Sequence, residues 1–150
     1  VFPAHLGKFH RTNAKRAGKN TPQVAGKYAV WLGESAVFAT IVLYTKGEES
    51  LRQLFDQVRA VTKHHYKGAK RLAKGEYKVA KSVGMKGLEA QWLLAEPGKK
   101  NRLWHGLYFM ERKNTIIQLR GRALATEAKR AAKLIDDLVR SFEWGLASKN

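Results

Sequence analysis

Cysteine is absent from this 150-residue sequence, which excludes a disulfide framework, a thiolate metal site and a cysteine nucleophile. Acidic residues are scarce, with 12 Asp and Glu against 29 Lys and Arg, so the formal net charge is +17. Proline occurs only at Pro3, Pro22 and Pro97, outside the strongly periodic segments. No Pro-rich linker, internal repeat or low-complexity stretch divides the chain. The length and these absences predict a single domain over residues 1–150.

Long hydrophobic runs are missing too. The longest nearly apolar run is AVFATIVLY at 36–44, far below the roughly 20 residues that a membrane helix needs, so we predict no transmembrane segment. The sequence begins VFPAH without a methionine. Removal of a secretory signal peptide would produce such a start, and so would a shortened form of the protein.

Catalytic and cofactor signatures are also absent. The sequence has no Walker motif, no GxGxxG after a strand and no GxSxG elbow. His64 and His65 are adjacent, so on a helix their side chains point about 100° apart and do not easily share a metal ion. Asp136 and Asp137 are neighbours on a polar helix face, where pairing with basic residues is the ordinary role. We therefore predict that the chain is not an enzyme and holds no metal or cofactor.

Alternation of apolar and polar residues predicts most of the strands. Residues 24–33 and 36–45 are two β-like stretches joined by Gly-Glu-Ser, which is typical of a hairpin. The second stretch is apolar on both faces, so we expect a central strand that is covered on both sides. Further strand-like stretches are a short one near 7–15 and four consecutive ones at 72–83, 87–95, 102–112 and 115–122.

Two segments have helical periodicity instead. In residues 47–66 the apolar residues recur at helical spacing. We place Glu48 and Glu49 in the first turn, where they suit the helix dipole, and assign Ser50 to capping. Residues 125–144 predict a closing amphipathic helix with Thr126 as a candidate N-cap. Its predicted apolar stripe consists of Leu124, Ala128, Ala131, Ile135, Leu138 and Phe142.

The predicted order is strands, a helix, a four-strand meander and a closing helix, which defines an α+β domain. We expect an antiparallel sheet of about six to seven strands. A helix on each face, making an α/β/α sandwich, would explain why 36–44 is apolar on both sides.

This order resembles the PsbP-like fold, the α/β/α sandwich of the accessory proteins of photosystem II and of small bacterial envelope proteins. The resemblance depends on FPAHLGKF, GKYAVWL and ATIVLYTKG in the first third, and on NTIIQLRGRAL running into EAKRAAKLIDDLVRSF near the end. It covers essentially the whole chain through element order. It implies an accessory or interaction role and a periplasmic or secreted location, with the cytoplasm as the alternative. No functional residue carries over, because no functional motif matches.

The segment KHHYKGAKRLAKGEYKVAK at 63–81 carries seven Lys or Arg residues and a single acid, Glu76. So much lysine on a strand is typical of a sheet edge, where charge discourages pairing with another chain. The segment is also the first candidate for a surface that binds polyanions. The predicted surface consists of Lys63, Lys67, Lys70, Arg71, Lys74, Lys78, Lys81, Arg120 and Arg122.

Two functions are compatible with this charge. The first is a non-enzymatic secreted or periplasmic interaction domain whose basic surface faces an acidic protein partner or an anionic envelope component. The second is nucleic-acid binding through 63–81 with Arg120 and Arg122, which would be non-specific and sensitive to salt. The aromatic strand 102–112 does not fit the RNA-recognition motif, and we expect Trp104 and Tyr108 to pack in the core. The sequence leaves the oligomeric state open.

Overall fold

The computed structural model describes residues 2–16, 24–65, 70–78, 86–95 and 102–141. Within these ranges the chain forms one antiparallel sheet of eight strands, two α-helices and one 3-10 turn. The strands are β1 (His5–Leu6), β2 (Phe9–Arg16), β3 (Val24–Leu32), β4 (Ser35–Thr45), β5 (Lys70–Lys78), β6 (Lys86–Ala95), β7 (Arg102–Arg112) and β8 (Thr115–Leu124). The helices are α1 (Leu51–His65) and α2 (Ala128–Ser141), and the 3-10 turn is Ala125–Glu127.

The strand order across the sheet is β1-β2-β3-β4-β8-β7-β6-β5. The α+β class, the antiparallel sheet and the order of elements are as the alternation predicts. Seven of the strands are long, and the two-residue β1 is additional to the predicted set. The lysine-rich β5 lies at an edge of the sheet, as its composition predicts. Residues 79–83 of its predicted range lie outside the described residues.

Helix α1 begins with a capping box. Ser50 Oγ accepts a hydrogen bond from the Gln53 backbone N–H at 3.2 Å, and the Ser50 N–H donates to Gln53 Oε1 at 2.8 Å. The capping role of Ser50 is therefore confirmed. Glu48 and Glu49 precede the helix, so their predicted place in its first turn is wrong. The helix begins at Leu51, directly after the Ser50 cap, and not at the acidic pair.

The start of α2 also differs from the prediction. Thr126 lies inside the 3-10 turn and α2 begins at Ala128, so Thr126 is not the N-cap residue of the α-helix. Leu124 is the last residue of β8 and is 36% exposed, so it does not belong to the apolar stripe of the helix. Ala131, Ile135 and Leu138 are buried as predicted, and Phe142 lies outside the described residues.

Alternate residues of β7 belong to two different apolar clusters. Trp104, Tyr108 and Met110 pack with Ile135 and other residues of α2, in the larger cluster. Leu107 and Phe109 pack in the second cluster with Phe55 of α1, whose ring centroid lies 5.8 Å from that of Phe109. Side chains alternate between the two faces of a strand, so the two clusters contain side chains from opposite faces of β7.

The β2–β3 ladder and the β5–β6 ladder each contain a register shift. On β2 the pairing with β3 passes from Arg11 to Asn13, and on β5 the pairing with β6 passes from Arg71 to Ala73. In each case one extra residue lies in the outer strand, which is the arrangement of a β-bulge. Bulges strengthen the local twist and occur preferentially at sheet edges.

Candidate functional site

Strand β4 lies in the middle of the sheet, yet one of its large apolar side chains faces solvent. Phe38 is 48% exposed, so the expectation that this strand is covered on both sides is wrong at this position. Its neighbours Val37 and Ala39 point to the opposite face and are buried in the larger cluster. Trp31 on the adjacent strand β3 is 68% exposed. Two aromatic side chains are thus presented on a regular sheet rather than on a loop.

The strand register places three basic residues on the same face as these aromatics. Phe38 of β4 is the cross-strand partner of Arg122 of β8. Two residues further along, Thr40 pairs with Arg120 on one side and with Lys27 of β3 on the other. Lys27, Arg120 and Arg122 are all exposed. We name the surface formed by Lys27, Trp31, Phe38, Arg120, Arg122 and Leu124 the basic–aromatic strip.

No acidic residue shares this face on the three strands of the strip. The remaining positions of the same parity on β3, β4 and β8 are Ala25, Ala29, Ala36, Thr40, Val42, Tyr44, Ile116 and Gln118. The floor between the exposed side chains is therefore small and largely apolar. The charged side chains that these three strands contribute to this face, Lys27, Arg120 and Arg122, are all basic.

Helix α1 limits the strip on one side. Its Phe55 covers the second cluster, which contains Leu107, Phe109 and Ile116. Gln118 lies at this boundary and is buried. In the amide orientation that turns its oxygen toward Arg120, Gln118 accepts a hydrogen bond from Arg120 Nη2 at 2.8 Å. This bond holds the Arg120 guanidinium close to Gln118.

Tyr44 lies near the same boundary, close to Arg120. Burial raises the pKa of the Tyr44 hydroxyl to about 12, and Glu49 raises it further while Arg120 opposes the change. The phenol is therefore neutral at physiological pH. It adds no negative charge beside the arginine.

His105 of β7 is the cross-strand partner of Arg122 on the side away from Phe38. Its ring centroid lies 6.0 Å from that of the buried Trp92. Burial lowers the pKa of His105 to about 4, and the charges of Arg120 and Arg122 lower it in the same direction. The imidazole is neutral at physiological pH, so the charge of the strip is set by Lys27 and the two arginines.

The structure separates the two parts of the sequence-predicted basic surface. Arg120 and Arg122 lie on β8, whereas Lys70, Arg71, Lys74 and Lys78 lie on the edge strand β5, three strands away. Between them, Ala90 and Trp92 of β6 are buried in the cluster beneath α1. Of β5 only the backbone is described, and Lys63 lies at the end of α1 without a described side chain. Lys67 and Lys81 lie outside the described residues.

The aromatic residues that the sequence singles out are in the core. Trp104 and Tyr108 are 0% and 1% exposed, which confirms that they pack in the core and do not form a stacking surface. The sequence does not identify the exposed pair Trp31 and Phe38, because alternation alone does not show which apolar face of a strand remains uncovered. Strand register is the observation that joins them to Lys27, Arg120 and Arg122.

Among the described residues, no group of three or more His, Asp or Glu side chains could hold a metal ion. Neither helix of the described residues combines the length and the apolar character of a membrane span. The strip itself contains neither a nucleophile paired with a base nor a pair of carboxylates. Its chemistry is that of a binding surface, with cations, aromatic rings and a small apolar floor.

No protein-family model matches the sequence, and no curated protein matches it. Among solved structures, the chain is similar to PA94 from Pseudomonas aeruginosa, a protein of unknown function proposed to be a regulator. The two share 12% sequence identity with a TM-score of 0.60, and the match covers 89% of this chain and 96% of PA94. At this identity the similarity is evidence for a shared fold alone. The shared fold extends over most of both chains.

Proposed function

We propose that the chain is a non-enzymatic interaction domain, secreted or periplasmic, that binds an acidic partner through the basic–aromatic strip. We further infer a PsbP-like α/β/α sandwich in which α1 and α2 cover opposite faces of the sheet. The division of β7 side chains between the α1 cluster and the α2 cluster supports this arrangement. The element order, with a closing strand that leads into a helix, supports the family assignment.

One observation carries the proposal. Lys27, Arg120 and Arg122 are exposed on the same sheet face as Trp31 and Phe38, and no acid shares that face on β3, β4 and β8. Tryptophan and arginine are among the residues enriched at the positions that contribute most to binding energy in protein interfaces. A surface that carries positive charge also accelerates association with an acidic partner and selects against basic ones. The strip combines both properties on a rigid element.

Site-specific photocrosslinking in cells that produce the protein tests this proposal. A benzophenone amino acid replaces Phe38 in one variant and the exposed Lys129 of α2 in a matched variant. We expect an acidic protein to be crosslinked at position 38 and not at position 129. A crosslinking pattern that is the same at both positions, or none at position 38, would show that the strip is not the binding surface.

Nucleic-acid binding is the second candidate function, and the exposed rings favour it specifically. Trp31 and Phe38 beside Arg122 have the composition of a platform on which bases of a single strand stack. A salt titration with oligo(dT) and a single-stranded RNA of the same length tests this candidate. Non-specific binding would be measurable at physiological salt with a Kd of about 10⁻⁴–10⁻⁶ M and would weaken steeply as salt rises. No detectable binding at that salt excludes it.

A further inference from the structure

The basic–aromatic strip has an apolar end and a basic end, which follow one another along the strand direction. Leu124 follows Arg122 by two residues on β8, and Trp31 lies two residues beyond Ala29, the partner of Phe38. Arg120 and Lys27 lie two residues away in the opposite direction. Two residues of a strand span about 7 Å, so an apolar end and a basic end lie about 14 Å apart, with Phe38 and Arg122 between them.

The width of the strip allows one polypeptide segment. The strip consists of β3, β4 and β8, and neighbouring strands are about 4.8 Å apart, so its outer strands are separated by about 10 Å. On the β8 side the second cluster and α1 begin. One extended segment or one helix fits this width.

Resting on the proposed function, we propose that the strip binds an acidic segment of a partner protein that carries apolar side chains at one end and carboxylates at the other. The apolar side chains contact Trp31, Leu124 and Phe38, and the carboxylates pair with Arg122, Arg120 and Lys27. The arginine fork suits a carboxylate through two parallel hydrogen bonds. In an extended segment, two to four residues separate the two ends of such a motif.

The observations favour this occupant over two others. A second copy of the chain carries the same net charge of +17, so charge repulsion opposes its approach to a basic surface. A nucleic acid would find stacking partners, but Leu124 and the small floor residues Ala36 and Val42 offer no polar side-chain atoms to base edges. Aliphatic side chains of a peptide fit such a floor because they gain from apolar contact alone.

Tryptophan fluorescence measures binding at the strip directly. Trp31 is the exposed indole among the described tryptophans, whereas Trp92 and Trp104 are buried, so a W31F variant identifies its contribution. The probe is a ten-residue peptide with two leucines near one end and three glutamates near the other. Two matched peptides replace the leucines with serine or the glutamates with glutamine, and oligo(dT) and anionic phospholipid vesicles serve as alternative ligands.

We expect the leucine–glutamate peptide to shift the emission of Trp31 to the blue and both matched peptides to bind at least about tenfold more weakly. The R120E/R122E variant should lose binding by about the same factor, because the carboxylates lose their partners. The matched control K129E/R130E changes the net charge equally at two exposed residues of α2 and should bind as the original protein does. Circular dichroism of both variants confirms that the fold is kept.

The outcomes separate this inference from the proposed function. Unchanged peptide binding by R120E/R122E, or equal binding of the serine peptide, would overturn the two-ended motif. Binding of oligo(dT) or vesicles at Trp31 in place of the peptide would show that the partner is not an acidic protein segment, although the strip would still be a binding surface. Failure of the peptide while position 38 still crosslinks an acidic protein would overturn the motif alone. Failure of both would overturn the proposed function itself.

Discussion

The indole of Trp104 fills the space that a β-carbon on Gly121 would occupy. A β-carbon built at Gly121 lies 2.8 Å from Cζ3 of Trp104, and one built at its cross-strand partner Gly106 lies 2.7 Å from Cη2. The indole is fully buried, and its Nε1 donates a hydrogen bond to Gln91 Oε1 at 3.2 Å. The glycine pair therefore makes room for a large ring that packs directly on the backbone beneath α2.

This contact predicts the effect of a single methyl group. In Gly121→Ala the new carbon must displace Trp104 or Ile135, whose Cγ1 would lie 3.0 Å away. We expect unfolding free energy to fall by about 1–3 kcal/mol, the usual effect of overpacking a core. Chemical denaturation measures the change. The control is Gly47→Ala, where nothing lies within 4 Å and a change within about 0.5 kcal/mol is expected. Equal stability of the two variants would contradict the packing argument.

His105 should make the protein less stable in mild acid. Its pKa is about 4 in the folded chain and 6.5 in the unfolded chain, so between these values the unfolded chain binds a proton that the folded chain does not. Stability from this source is complete above pH 6.5 and is lost progressively down to pH 4. After allowance for partial solvation the loss is about 2 kcal/mol.

The measurement compares urea unfolding of the original protein and H105Q between pH 7 and pH 4. The difference between the two curves isolates His105 from the carboxylates, and H105Q should lose less stability on acidification. An NMR titration of the His105 ring gives the midpoint directly. A midpoint near 6.5 would contradict the predicted effect of burial and of the two arginines.

Glu89 of β6 should have the opposite pH dependence to His105, because its contribution lowers the stability of the protein as pH rises. Burial raises the pKa of its carboxyl, and Asp136 of α2 raises it further, while a hydrogen bond from Gln91 lowers it. A raised folded-state pKa means that stability is fully present below the unfolded value of 4.5 and is lost as pH rises through the folded value. The ionised carboxylate therefore destabilises the domain at pH 7.

We expect E89Q to increase the urea midpoint at pH 7 and to leave it nearly unchanged below pH 4, where the original carboxyl is protonated. The matched control is E34Q, a change at the exposed turn between β3 and β4. Equal effects of E89Q at both pH values would indicate that packing, and not charge, explains the difference.

Phe38 and Val37 should respond very differently to serine. Val37 is 0% exposed in the larger cluster, so V37S leaves a cavity and a buried hydroxyl and should cost about 2–4 kcal/mol. Phe38 is 48% exposed, so F38S should change unfolding free energy by no more than about 1 kcal/mol. Thermal and urea unfolding of both variants measure this. A large loss in F38S would mean that Phe38 supports the fold and that its exposure does not reflect binding.

Local pattern is sufficient to predict most of the sheet. The alternation of 102–112 predicts β7 to the residue, since the strand is Arg102–Arg112. The same pattern missed β1, because a two-residue strand has no alternation of its own and exists only through its pairing with His10 and Phe9. Local composition also predicts the edge position of β5, because lysine on a strand has a direct physical reason there.

The candidate site depends on long-range placement instead. In the sequence, basic residues are densest at 63–81, so the sequence predicts a binding surface around β5. Lys27 and Arg120 are more than ninety positions apart in the chain, yet they lie on either side of Thr40 because β3, β4 and β8 pair in that order. Whether Phe38 is covered depends on where α1 lies across the sheet. The position of α1 cannot be predicted from the residues that neighbour Phe38 in the sequence.

The register shifts on β2 and β5 bear on how a partner can be selected. Extra residues beside Arg11 and Arg71 bend β2, which is covered only by the two-residue β1, and the edge strand β5. Such bends discourage a foreign strand from continuing the sheet through backbone hydrogen bonds. Backbone hydrogen bonds at a sheet edge form with almost any sequence, whereas the exposed face of the sheet can contact a partner only through side chains. A partner that binds this face is therefore recognised by its own side chains, so single substitutions in that partner should decide whether it binds.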